Sequence, residues 1–135
     1  MPDKLSFGKT FDALEKAISI AQQRNSYITS NISNEDTPGY KPKDIDFKKE
    51  LASALETNRT VAMEKTDPRH ISMRDNGRQI IAPFEEQGEW NGYNWVNIDK
   101  EMTKLTENNL TYRSAVEVLL RKISLIKEVI KEGGR

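Results

Sequence analysis

The chain has 135 residues, of which 36% are hydrophobic and 31% charged, and it contains no cysteine. A chain of this length is typically one domain, and the absence of cysteine excludes disulfides, thiolate metal sites and cysteine nucleophiles. The 21 basic residues balance 21 acidic ones, so no net charge draws the chain to nucleic acid or anionic lipid. Its apolar runs are far shorter than the roughly 20 residues that span a bilayer. We therefore expect neither nucleic-acid binding nor direct membrane insertion.

The first predicted element is a long helix that begins between Ser6 and Thr10 and ends near Ser33. Its apolar residues recur alternately four and three positions apart, which is the a/d pattern of a coiled-coil seam. The seam residues are Phe7, Phe11, Leu14, Ile18, Ala21, Asn25, Ile28 and Ile32. This pattern predicts a helix that packs along its length against another helix.

A rigid turn is predicted directly after this helix. Asn34 suits the C-terminal cap, and Pro38 prevents the helix from continuing. The sequence Thr37-Pro38-Gly39-Tyr40 is typical of a type II turn, in which proline fixes the second position and glycine supplies the positive φ of the third. The chain should therefore leave the first helix in one defined direction.

The middle of the chain carries weaker signals. A second, shorter helix is predicted over residues 44–56, because one of its sides is apolar. Residues 57–97 contain several turn-forming dipeptides, such as Asp-Pro and Asn-Gly, and the pattern allows short strands only over 61–63 and 79–82. We expect this connector to be irregular or short-β, and partly disordered in an isolated chain.

The last predicted helix is capped by Asn97 and ends at Gly133-Gly134. Its seam consists of Ile98, Met102, Leu105, Asn109, Tyr112, Val116, Leu119, Ile123, Ile126 and Ile130. In the C-terminal half of this helix, four further apolar residues lie outside the seam, namely Val118, Leu120, Leu125 and Val129. The apolar surface is wider than one partner helix covers, which predicts an assembly face for further helices.

Each seam contains one asparagine, Asn25 in the first helix and Asn109 in the last. One interpretation is that helices tolerate an occasional polar residue at the edge of a seam. The other is that the two amides face each other and fix the register of the pair. If the chain folds back between residues 34 and 98, paired residue numbers sum to about 132, and Asn25 and Asn109 sum to 134. This near-coincidence favours the register interpretation.

No arrangement of residues points to catalysis. His70 is the only histidine and has no second ligand or base at a suitable spacing, so a local hydrogen bond in a loop is the favoured interpretation. Trp90, Tyr93 and Trp95 form an aromatic cluster that fits a sugar site or a subunit contact, although sealing a hairpin against the helices is favoured. The sequence has no isolated carboxylate pair, phosphate-binding loop or nucleophile elbow. We expect neither enzymatic activity nor a cofactor.

Residues 30–40, Ser-Asn-Ile-Ser-Asn-Glu-Asp-Thr-Pro-Gly-Tyr, closely resemble the N-terminal signature of bacterial flagellar axial proteins of the rod and hook class. That signature is roughly Ala-Asn-x-x-Asn-x-x-Thr-Pro-Gly-Tyr at the end of a long helix, with Ser30 here in place of the alanine. The matching positions are Asn31, Asn34, Thr37, Pro38, Gly39 and Tyr40. Short length, the Asp-Pro-Arg-His-Ile segment at 67–71 and the segment at 91–98 resemble the proximal rod type.

The resemblance implies a structural subunit whose copies stack helically into the periplasmic drive-shaft of the flagellar basal body. Its implied partners are copies of itself, other rod proteins, proteins at the junction with the membrane ring, and the flagellar type III export apparatus. Export would then need no cleavable signal peptide. A cytosolic helical-hairpin adaptor or chaperone that binds one partner helix is the alternative.

The predicted fold is mainly α, with long terminal helices paired as an antiparallel, coiled-coil-like hairpin. Within one domain we expect three parts. Residues 1–40 form the first helix and its turn, 41–97 form the short helix and connector, and 98–135 form the last helix, which packs on the first.

Overall fold

The computed structural model describes residues 4–56 and 80–134. Its elements are α1 (Lys4–Ser33), β1 (Lys43–Asp44), α2 (Phe47–Glu56), β2 (Phe84–Glu85) and α3 (Ile98–Gly133). The predicted fold class is confirmed, with two long helices and a short-β middle. The first helix begins at Lys4, before the positions predicted to cap it. None of the helices within the described residues combines the length and hydrophobicity that a membrane span requires.

The two long helices run antiparallel along each other. At one end, Asn31 of α1 donates a hydrogen bond to Glu101 of α3 at 2.9 Å. At the other, the Lys122 ammonium lies 5.8 Å from the centre of the Phe11 ring. At 1.5 Å per residue, α1 is about 45 Å long and α3 about 54 Å. The predicted hairpin of terminal helices is therefore correct.

The main hydrophobic cluster lies on a second side of α1. There Ile20 packs with Ile45 and Ile81, and the partly buried Tyr27, Phe47 and Leu51 surround them. The short helix α2 and the returning chain thus cover the side of α1 that α3 leaves open. This small core agrees with the low overall hydrophobicity of the chain.

The short helix starts at Phe47 rather than at Asp44 as predicted. Asp46 caps it by accepting a hydrogen bond from the Lys49 amide at 3.1 Å. Asp44 belongs to β1, where it pairs antiparallel with Phe84 of β2. A helix cannot begin earlier because residues 43 and 44 are committed to this ladder.

The strand prediction over residues 79–82 is wrong where the structure describes it, since 80–82 form no strand. The Ile81 amide donates instead to the side chain of Gln23, at 2.9 Å. Several other predictions concern residues outside the part of the chain that the structure describes. They are the strand at 61–63, residue 79 of the second strand, His70 with the 67–71 segment, and the disorder of 57–79.

The last helix begins as predicted. Asn97 has extended backbone angles and accepts a hydrogen bond from the Lys100 amide, which is the geometry of an N-terminal cap. Asp99 and Glu101 in the first turn suit the positive end of the helix dipole. The start of α3 is thus fixed beside the end of α1.

Candidate functional site

The turn that follows α1 has the predicted type II geometry. Gly39 has a φ of +68°, and the Tyr40 amide donates to the Thr37 carbonyl at 3.3 Å. Because Pro38 keeps a negative φ at the second position, the primed turn types are excluded. The turn is also fixed from outside, since the Gly39 amide donates to the Tyr93 carbonyl at 3.0 Å.

Asn31 connects the end of α1 to the chain that leaves the turn. It is 0% exposed, and its amide nitrogen donates to the Lys43 carbonyl at 2.8 Å and to Glu101 at 2.9 Å. Its amide oxygen accepts from the Lys43 amide at 2.9 Å and from the Tyr40 hydroxyl at 3.3 Å. Both donors and both acceptors of this side chain are therefore used.

Asn34 ends the helix by a local mechanism. Its amide nitrogen donates back to the Ser30 carbonyl at 2.8 Å. Its amide oxygen accepts from the Thr37 hydroxyl at 3.0 Å, and its backbone carbonyl accepts from the Thr37 amide. The side chains of Asn34 and Thr37 thus hold the last turn of α1 against the start of the type II turn.

Asn94 holds the turn from the opposite side, and sequence reasoning missed it. It is 0% exposed, and its amide nitrogen points at the carbonyls of Asn34, Glu35 and Thr37. Its amide oxygen accepts from the Val96 amide at 2.9 Å. One asparagine among several in a turn-rich segment gives no signal of such a long-range role.

A buried ionic cluster lies where α1, α3 and the two strands meet. Arg24 forms a two-pronged pair with Asp44, at 2.8 and 3.0 Å. Lys104 lies 2.8 Å from Glu101 and 3.5 Å from Asp44, and it also contacts Glu86. Glu101 and Lys104 are buried, so their charges are compensated by each other and by their neighbours rather than by water.

The cluster shifts the pKa values of Asp44, Glu86 and Lys104 toward their charged forms. Burial raises the pKa of Asp44, but the hydrogen bonds from Arg24 and the Ile45 amide and nearby positive charges lower it below its ordinary value. The pKa of Glu86 is lowered in the same way by its two lysine partners, against burial. Burial lowers the pKa of Lys104, but its carboxylate partners raise it overall. All these groups therefore favour ionisation in the folded chain.

The first three turns of α3 present a different face to α1 than predicted. The buried residues there are Glu101, Lys104 and Asn108, one position before the predicted Met102, Leu105 and Asn109. Met102 is exposed and Leu105 only half-buried. Polar residues occupy the interface because they are paired, and a pattern based on apolar residues cannot detect them. Ile130, at the other end of the seam, is also exposed.

The register prediction is consequently wrong for Asn109, whose side chain is exposed. Asn108 is 2% exposed instead, and its amide nitrogen donates to the Ala21 carbonyl at 2.8 Å. The amide oxygens of Asn25 and Asn108 are both buried and have no hydrogen-bond partner within the part of the chain that the structure describes. Their numbers sum to 133, as do those of the Phe11–Lys122 pair, so they lie at one level. We propose that Asn108 takes the role predicted for Asn109.

The predicted assembly face is exposed and divides into two parts. Val118, Leu120, Leu125 and Val129 are all exposed, between 45% and 68%. Val118, Leu125 and Val129 recur seven and four residues apart, and we name them the first flank. Leu120, the second flank, points about 160° away from Val118 around the helix. The surplus apolar surface of α3 therefore lies on both sides of its contact with α1.

No protein-family model matches the sequence. Curated proteins do, however, match it over nearly its whole length. A flagellar basal body rod protein FlgB of Bacillus subtilis is 39% identical over 129 residues, covering 94% of this chain and 97% of the relative. The FlgB proteins of Yersinia enterocolitica and Escherichia coli are 31% and 30% identical, covering 98% and 99% of this chain and the whole of each relative.

The chain belongs to the flagellar basal body rod protein FlgB family. The match to the Escherichia coli relative leaves out 1% of this chain, so both long helices and the turn lie within the FlgB-like sequence. The resemblance identified from residues 30–40 is confirmed.

In this FlgB-family chain the aromatic cluster lies beside the turn. The Trp95 amide donates to the Tyr40 carbonyl at 3.1 Å, and Tyr93 accepts from Gly39. Trp95 is half-buried, whereas Trp90 and Tyr93 are exposed. Gly88 is needed here because an added Cβ would lie 2.5 Å from the Trp95 carbonyl oxygen. The backbone of the cluster supports the turn, and Trp90 remains available at the surface.

Proposed function

We propose that this chain is a structural subunit of the flagellar basal body rod, and that its copies stack helically in the proximal, periplasmic part of the rod. Membership of the FlgB family supports the role in the rod. The observation that carries the stacking is the exposed apolar surface on both flanks of α3. A subunit inside a helical array has neighbours on more than one side, and two flanks suit that arrangement.

Burial of these flanks would supply free energy for assembly. Apolar surface removed from water contributes about 25 cal/mol per Å², and the small core leaves much apolar surface unburied within one chain. The clamped turn contributes differently, because it fixes the direction in which the chain leaves α1. Each copy would then present its flanks in the same orientation.

The proposed partners are copies of the chain, other rod proteins and proteins at the junction between rod and membrane ring. We further propose that the chain reaches the periplasm through the flagellar type III export apparatus. Neither the fold nor the relatives favour the adaptor alternative, which needs only one apolar flank to bind one helix.

The proposal is tested by placing a charge on the first flank. In a strain that lacks its own copy and is complemented with this chain, we expect Leu125→Lys to prevent rod assembly, as judged by electron microscopy and swimming. Glu128→Lys, on an exposed position one turn away, is the matched control and should assemble. Glu128→Lys changes the net charge of the chain more than Leu125→Lys does, but it leaves the first flank apolar. Equal assembly by both variants, with normal helix content, would contradict the proposal.

A further inference from the structure

A groove of about 670 Å³ lies beside the turn, between the aromatic cluster and the start of α3. Its walls include Trp90, Trp95, Glu35 and Glu89. The ring centres of Trp90 and Trp95 are 4.6 Å apart and their planes are tilted by 60°. Trp90 is 54% exposed, so an aromatic surface is open to a partner at this point.

The charged residues that line the groove favour a positively charged ligand group. Glu86 and Glu101 also line it, but lysines neutralise them. The carboxylates of Glu35 and Glu89 make no hydrogen bond or ion pair within the described residues. Carboxylates and aromatic rings together attract ammonium and guanidinium groups. Tilted rings that partly cover each other offer no flat platform for a sugar.

The chain itself shows this preference at one of the two rings. The Lys41 ammonium lies 5.7 Å from the centre of the Trp95 ring and 3.7 Å from a carboxylate oxygen of Glu85. The same combination of an indole and a carboxylate is repeated by Trp90 and Glu89, which are adjacent in sequence and both exposed. No cation of the described residues is paired with Glu89.

Suitable cations are available farther along α3. Residues 112–133 contain five basic and three acidic residues, whereas residues 84–101 contain five acidic residues and one lysine. Arg113, Lys127 and Lys131 are exposed and have no ion pair within the described residues. Along the helix, Arg113 lies about 20 Å and Lys127 about 40 Å from the groove, farther than either side chain extends. These cations therefore reach a groove only on another molecule.

We propose that the groove binds a basic side chain from residues 112–133 of α3 in a second copy of the chain. The contact is head-to-tail, since it joins two different surfaces, and repeated contacts of this kind produce an open array. This inference rests on the proposed function and adds one specific contact between copies. It assigns Trp90 and Glu89 as the receptor and Arg113, Lys127 or Lys131 as the inserted group.

The absence of cysteine allows the contact to be tested by cross-linking. Glu89→Cys is combined in turn with Arg113→Cys, Lys127→Cys and Lys131→Cys, and basal bodies from complemented cells are oxidised. We expect at least one pair to give a ladder of linked multimers, and the matched pairs with Glu56→Cys to give none. Absence of a ladder from all three pairs, closed dimers alone, or adducts only to other proteins would overturn the proposal.

Charge reversal gives a second measurement that does not depend on rod formation. In sedimentation of the purified chain, Glu89→Lys should weaken self-association about tenfold relative to Glu56→Lys. Adding Lys127→Glu and Lys131→Glu to the same chain should restore it. Equal association of the two lysine variants would overturn the inference. Complete rods in cells that lack the chain would instead contradict the proposed function. Failure of the groove contact and failure of the rod function therefore give different results.

Discussion

At the scale of single residues, two buried asparagines organise the turn after the first helix. Asn31 donates to and accepts from the backbone of Lys43, as a neighbouring strand would, and Asn94 donates to backbone carbonyls of the segment that follows α1. A buried carbonyl without a partner costs roughly 1–3 kcal/mol, so each amide contributes by satisfying several backbone groups at once. The turn is consequently held from two directions.

Gly39 provides the sharpest test of the turn. An added Cβ would meet no atom within 4 Å, so the cost of Gly39→Ala comes from the positive φ alone and should be about 1 kcal/mol. Ser30→Ala removes only an exposed contact with the Tyr40 hydroxyl and is the control. We expect urea denaturation and rod assembly to be affected by the first change and not by the second. An unchanged unfolding free energy in Gly39→Val would contradict the assigned turn.

The sequence predicted Gly39 but not Asn94, and the reason is physical. Turn geometry depends on four consecutive residues, so proline and glycine reveal it locally. Asn94 acts on carbonyls nearly 60 positions earlier in the chain, and such contacts depend on how the helices come together. Asn31 was identified through the family resemblance, which does not supply its partners Lys43 and Glu101.

At the scale of helices, the periodicity predicted the antiparallel pair but misplaced the contact face at the start of α3. Hydrophobic spacing identifies a seam only where apolar burial dominates. In the first turns of α3, the buried residues are instead a lysine, a glutamate and an asparagine. Their burial is stable because Lys104 and Glu101 are paired. The later positions of the seam, such as Leu119 and Ile123, are half-buried as an apolar pattern predicts.

The orphaned amide oxygens of Asn25 and Asn108 lead to a prediction about this helix pair. Replacing both residues by leucine should raise the unfolding free energy by roughly 1–3 kcal/mol, because two buried acceptors lack hydrogen bonds. It should also loosen the register and give heterogeneous oligomers. Urea denaturation of the single and double variants measures their coupling. Asn109→Leu, on the exposed side, is the control and should change stability by less than about 0.5 kcal/mol.

Strict additivity of the Asn25 and Asn108 substitutions would show that the two side chains do not meet. A stabilised double variant with an unchanged, uniform assembly would show that the amides do not select the register. Either result would remove the role we propose for Asn108 while leaving the antiparallel packing of the helices intact.

At the scale of the whole molecule, the ionic cluster links α1, α3, β1 and the residue that follows β2, and it predicts sensitivity to acid. The pKa values of Asp44 and Glu86 are lowered by folding. Their stabilisation is therefore complete above the ordinary carboxylate pKa of about 4 and is lost as the pH falls through the lower folded-state values. We expect the thermal midpoint to fall steeply below about pH 4.

Lys104→Met tests which residue holds the cluster together. It leaves Glu101 buried without its cation and should destabilise the chain by on the order of 3 kcal/mol near neutral pH. The difference from the unchanged chain should shrink in acid, because protonated carboxylates need no cation. Lys100→Met is the control, since Lys100 is exposed and its ion pair among the described residues is with Glu86 alone. A difference that is constant from pH 7 to pH 3 would contradict this account.

Basal bodies from a strain that lacks this chain test the central claim most directly. If the chain is a structural subunit of the rod, electron cryo-microscopy should show basal bodies that stop at the membrane ring. Cells should be unable to swim, and supplying the chain should restore both rods and swimming. Complete rods in its absence would contradict the account.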